Sequence, residues 1–163
     1  MKESTAWLLD FGDELFAAVG ERELMHLVSQ PHLLTVPLSP QHCGSVLAWQ
    51  KHLLPVWDIR TWLGQRSESE GDTLAAVVGY QHRPRQTPMF GVIALSSPPR
   101  RVIVKDTDAC ELPDGRSWRT IARSCFLHGQ QPVPILDLAA MFTQAPKPSG
   151  VRKKTEPQPL VNG

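Results

Sequence analysis

Short apolar runs separated by turn residues dominate the chain. AWLLDF (6–11) and LFAAV (15–19) flank Gly12, Asp13 and Glu14, which predicts a hairpin of two strands. SVLAW (45–49) and HLLPVW (52–57) predict a second strand pair, with Gln50 and Lys51 at its turn. TLAAVVGY, FGVIAL and RRVIVKD are three further β-rich runs bounded by Pro, Gly and Arg clusters. Pro113, Asp114 and Gly115 supply turn chemistry, since proline presets φ and glycine accepts a positive φ. Helical periodicity is scarcer. Residues 21–28 place Leu24, Leu27 and Val28 at i, i+3 and i+4, which predicts a short helix. Asp58 and Asp137 each follow a strand-like run and are suited to N-cap short helices over 58–63 and 137–142. Many short strands at close spacing argue for small barrels rather than an alternating strand–helix sheet.

The runs fall into two apolar stretches, 6–64 and 74–142, joined by the polar QRSESEGDT of 65–73. LLPVWDIRTWL and PVPILDLAAMF share one template: Pro, two apolar residues, Asp, one apolar residue, two variable positions and two apolar residues. Pro55 corresponds to Pro134 and Asp58 to Asp137 at the same offset. The proline suits a strand edge or bulge, where a missing N–H costs no ladder bond. The repeat predicts two similar subdomains within one domain spanning 1–142. The Pro- and Lys-rich segment 143–163 has few large apolar residues, and its composition predicts disorder.

Charge and candidate chemistry narrow the function. Lys and Arg total 17 against 16 Asp and Glu, so no global field draws in nucleic acid or an anionic membrane. No apolar run approaches the ~20 residues that span a bilayer, and the opening MKESTAWLLDFGDE lacks a signal-peptide core. The three cysteines (Cys43, Cys110, Cys125) show no paired spacing, which argues against a disulfide framework and for a reducing cytoplasm. The six histidines (His26, His32, His42, His52, His82, His128) lack zinc-ligand spacing. No nucleophile elbow, phosphate loop or dinucleotide fingerprint is present. The expectation is a protein without catalytic residues, metal, cofactor or small-molecule substrate. One alternative stays open: Arg83/Arg85, Arg100/Arg101 and Arg116/Arg119/Arg123 could form a basic face on a small barrel that binds nucleic acid.

The same residues resemble the CheW-like domain of chemotaxis adaptors and of the CheA histidine kinase. WLLDFGDELFAAV is similar to that family's first hairpin. VPLSPQHCGSVLAWQKHLLPVWDIR is similar to its central block, in which V-P-x-x-P precedes G-V-I-N-L-R-G and P-h-h-D-h-R (h, apolar). FGVIAL and PVPILDLAAMF stand where the second subdomain's glycine-containing strand and closing unit belong. The resemblance covers residues 6–142 and implies a mostly β fold of two five-stranded barrels with short helices. It also implies a non-catalytic adaptor or scaffold in a bacterial chemosensory array of the two-component type. The implied partners are a CheA-type histidine kinase and chemoreceptor-like proteins, with no membrane insertion.

Departures from the pattern are specific. The N-L-R-G turn becomes Ala48, Trp49, Gln50 and Lys51, so Gln50 replaces the arginine that family members present to partners. Ser45 replaces the first glycine, with Gly44 one position earlier. The V-x-E-I segment appears as Leu24, Met25, His26 and Leu27, and the acidic turn after FGVIAL becomes Ser96, Ser97, Pro98 and Pro99. This pattern implies a divergent member, suited to a type IV pilus (twitching) or other specialised system. The residues expected to contact a partner are Leu24, Leu27, Trp49, Gln50 and Lys51.

Overall fold

The alternation in AWLLDF becomes strand β1 (Glu3–Asp10), and the chain reverses at Gly12, Asp13 and Glu14, all at positive φ, into β2 (Phe16–Gly20). The computed structural model describes residues 2–65, 73–113 and 115–144. Next come β3 (Leu24–Ser29), β4 (Leu33–Thr35), β5 (Ser45–Trp49), β6 (His52–Trp57) and helix α1 (Ile59–Trp62). Strands β7 (Leu74–Tyr80), β8 (Met89–Leu95) and β9 (Ser97–Lys105) follow, then α2 (Arg116–Ile121), β10 (Ala122–His128), β11 (Gln131–Leu136) and α3 (Leu138–Gln144). The protein is mostly β, with two curled sheets and short helices.

The first sheet has the order β10-β11-β2-β1-β9 and the second β3-β7-β8-β6-β5-β4. Five strands were expected in each unit, and the second gains a sixth because three residues, Leu33–Thr35, pair with β5. The expected halves 6–64 and 74–142 do not coincide with the sheets. β3 to β8 form the second sheet from one continuous stretch, so the break expected at 65–73 falls inside that sheet. The first sheet joins the N-terminal hairpin to β9, β10 and β11.

The repeated template does mark one equivalent corner per sheet. Asp58 and Asp137 both end a strand and cap a helix: Asp58 Oδ1 accepts from Thr61 N at 3.2 Å, and Asp137 Oδ1 from Ala140 N at 3.1 Å. Each aspartate's own N–H donates at 2.8 Å to the antiparallel side, to the carbonyls of His42 and Ile121. Each strand then makes a parallel pairing, β6 with β8 and β11 with β2. Both prolines sit in strands flanked on two sides rather than at an edge, yet the parallel partner is engaged only from Val56 and from Ile135. The missing N–H therefore falls before the parallel ladder starts.

Residues 21–28 are not a helix. A turn at 21–23 leads into β3, which pairs with β7. The register shifts between Leu24 and His26, a bulge that leaves Leu24 and Leu27 facing the same core. The spacing that imitated a helix face thus comes from one extra strand residue. The tail begins later than expected, because α3 carries the chain to Gln144. The rest of the segment predicted to be disordered, 145–163, and most of the 65–73 loop lie outside the described residues, as does Asp114 of the Pro-Asp-Gly turn.

Three apolar clusters hold the described residues together. The largest lies between the sheets and takes Leu9 and Val19 from the first, Trp57, Val78 and Ile93 from the second, and Trp118, Leu138, Met141 and Phe142 from α2 and α3. The others fill the two sheets' own concave faces, around Leu47, Val77 and Val92 and around Leu8, Phe126 and Val133. Gly91 is required where α3 lies on β8: a Cβ there would stand 2.3 Å from the Phe142 ring. Arg60 ties α1 to the first hairpin by an ion pair with Asp13 at 2.8 Å.

Candidate protein-binding surface

The β5–β6 hairpin closes through a two-residue turn, with Trp49 opposite His52 and Gln50 and Lys51 at φ 47° and 68°. Positive φ at both central residues gives a twist that matches the flanking strands. Gln50 and Lys51 project at the tip and are exposed. Trp49 is half-buried: its ring meets Phe90 at 5.5 Å and His26 at 6.4 Å, and it packs on the second sheet's own core. Three of the five predicted contact residues therefore share one hairpin end. Leu24 and Leu27 do not join them, because both are partly buried against the core between the sheets. The β3 side chain that reaches Trp49 is His26, on the opposite face of the strand.

The other face of the hairpin carries a feature that sequence reading missed. Ala48 and Leu53 are opposite one another, as are Val46 and Pro55. With Tyr80, Met89 and Phe142, residues Val46, Leu53 and Pro55 line an open, mainly apolar groove of about 700 Å³. Leu53 is 66% and Met89 48% exposed. Strand alternation alone would place Leu53 on the side opposite Leu54, but only the fold brings Met89 and α3 beside it. Burial of Tyr80 beside the groove raises its phenol pKa above the ordinary value.

A second, more polar hollow of about 360 Å³ lies beside His42, Asp58, Arg60 and Ser96. His42 is wedged against Trp57 (4.6 Å) and Trp62 (4.7 Å), and burial lowers its pKa. Trp57 is fully buried and Trp62 half-buried at the junction of the sheets, where they were expected, with ring centroids 5.1 Å apart. Among the described residues no three His, Cys, Asp or Glu side chains are grouped to hold a metal. No helix among them is long and apolar enough to cross a membrane.

The arginines are spread over both sheets. Arg83 and Arg85 lie in the connection from β7 to β8 of the second sheet, whereas Arg100 and Arg101 lie on β9 of the first. Arg101 pairs with Glu21 and stacks 6.0 Å from the Trp7 ring, and Arg123 stands 3.8 Å from Glu23. Carboxylates thus sit beside cations that a polyanion would need.

No protein-family model matches this sequence, and no curated protein matches it. The fold is similar to that of a solved structure, the scaffolding protein TtCheW from Thermoanaerobacter tengcongensis, with a TM-score of 0.68 at 9% sequence identity. The match covers 83% of this chain and 90% of that one. At that identity the likeness establishes a CheW-like fold.

Proposed function

We propose that this protein is a non-catalytic cytoplasmic adaptor that couples chemoreceptor-like proteins to a CheA-type histidine kinase in a bacterial chemosensory array. The observation that carries the reading is a two-barrel fold like that of a scaffolding protein, bearing an exposed apolar groove beside the hairpin where the resembling family presents its contact turn. An adaptor works by holding partners at high local concentration, so it needs docking surfaces and no reactive groups. Gln50 removes the charge of the family's arginine and with it any bidentate contact to a carboxylate. The partner then meets apolar surface at Leu53 and Met89 more than charge, which suits a specialised array such as one governing type IV pili. Within this reading Trp49, Gln50 and Lys51 form the rim, while Leu24 and Leu27 support β3 from beneath.

Co-purification from native cells with kinase and receptor detection tests the proposal. Leu53→Glu puts a charge into the groove at an exposed position, so melting temperature and circular dichroism should stay near wild type. A hot-spot loss of about 2 kcal/mol, roughly thirtyfold in affinity, is expected. Trp49→Ala with Lys51→Glu probes the rim in the same assay. Wild-type recovery of kinase and receptor by both folded variants would overturn the assignment. Steep salt-dependent retention on a polyanion column would instead favour the nucleic-acid reading.

A further inference from the structure

The first sheet has two edges, β9 and β10. The chain leaving β9 makes a short 3-10 turn (Asp106–Asp108) and then runs along β10, with Ala109 bridged antiparallel to Phe126. One residue further, Cys110 stands directly opposite Cys125, and its N–H donates to the Cys125 carbonyl at 3.1 Å. The two sulfurs are 3.2 Å apart, and both thiols are free. Residues opposed in an antiparallel pair have Cα atoms about 4.5–5.5 Å apart, within the span that a disulfide bridges. The sulfurs need to approach by only about 1 Å to reach the bonded distance of about 2.05 Å.

We propose that Cys110 and Cys125 form a redox-modification site, in which a reversible intramolecular disulfide staples the segment at 109–110 to β10. The two thiols differ in a way that orders the chemistry. Cys110 is half-buried and reachable, whereas Cys125 is 4% exposed. Burial first, and then the hydrogen bond with Cys110, push the Cys125 thiol up to about 12. Cys110 is therefore the sulfur that an oxidant reaches first, here a low-molecular-weight disulfide of the glutathione class. Its sulfur attacks one sulfur of that disulfide, which breaks and releases one small thiolate. Cys125 then attacks the Cys110 sulfur of the mixed disulfide. The bond to the small thiol breaks, and the second small thiol leaves with the Cys125 proton. The protein is oxidised by two electrons and the oxidant is reduced to two thiols. Both steps pass through a thiolate, so closure of the bond accelerates with rising pH.

The closed ring contains α2, which anchors Trp118 in the core between the sheets and whose Ser117 carbonyl accepts from Trp62 Nε1 at 3.0 Å. The staple therefore restrains the element that joins the first sheet to the α1 corner of the second. This inference is independent of the adaptor reading.

The test uses the reduced full-length protein and oxidised glutathione. Free thiols are counted after denaturing alkylation, linked peptides are mapped by mass spectrometry, and melting is followed before and after dithiothreitol. The expected result is loss of two of the three thiols, a monomer lighter by two hydrogens and a 110–125 linked peptide. Melting temperature should rise by about 5–10 °C, with full reversal by reductant. Cys125→Ala should stop at a glutathione adduct on Cys110, and Cys110→Ser should keep both its remaining thiols. Retention of all three thiols, a persistent adduct on wild-type Cys110 with Cys125 still free, or linkage through Cys43 or between molecules would overturn the proposal.

Discussion

Gly91 shows how one residue without a side chain fixes the approach of two elements. Its place on β8 lets the Phe142 ring of α3 lie against the strand backbone, and Phe142 in turn stacks on Tyr80 at 5.5 Å. Gly91→Ala should therefore cost about 1–3 kcal/mol, the usual range for overpacking a filled core. Chemical denaturation should show a lower midpoint with an unchanged slope. Pairing it with Phe142→Leu, which gives the new methyl room, should recover part of the loss; an additive double variant would show that the clash is relieved elsewhere. Such contacts were not legible in the sequence. FGVIAL announces a strand with a glycine in it, but nothing local says that a helix fifty positions later will press on that glycine. The same holds for Cys110 and Cys125, whose separation along the chain matches no ligand or disulfide pattern, although the fold sets them face to face.

At the scale of elements, the two Pro–Asp corners were the most legible feature, because each carries its own chemistry. The strand is apolar, and the aspartate that ends it caps the helix that follows. Asp58→Ala and Asp137→Ala should each lower stability by about 1 kcal/mol, with Asn restoring most of it at either site. The two effects should add within error, because the corners belong to different sheets. Thermal or urea unfolding of the four single variants and the double alanine variant measures this. Strands β5 to β9 were similarly plain from alternation and punctuation. β3 was not, since its bulge between Leu24 and His26 counterfeits helical spacing. Strands β4 and β10 and helix α2 announce themselves weakly, being short or of mixed polarity, and they are ordered by what they pack on. The candidate site divides in the same way: Trp49, Gln50 and Lys51 form a local turn that sequence can identify, whereas the groove beside them is assembled from separate elements.

Across the whole molecule, the sheets are unequal in how they use the chain. The second is drawn from one unbroken stretch, while the first takes β1 and β2 from before that stretch and β9 to β11 from after it. Sequence reading divided the chain at its most polar loop, which is a sound rule for domains that follow one another and fails for one nested inside another. The nesting gives the protein a birth order that differs from its assembly order. The β1–β2 hairpin is the earliest part of the fold to be synthesised, yet its flanking partners β9 and β11 are among the last. Long-range pairings of this kind form slowly, because chain closure must precede the contacts that reward it. In pulse-labelled hydrogen exchange during refolding, amides of β5 to β8 should be protected before those of β1, and simultaneous protection would contradict this order. Until β9 arrives, the hairpin keeps an apolar strand edge open to neighbouring chains. A ribosome paused before that point would hold the protein in its most aggregation-prone state.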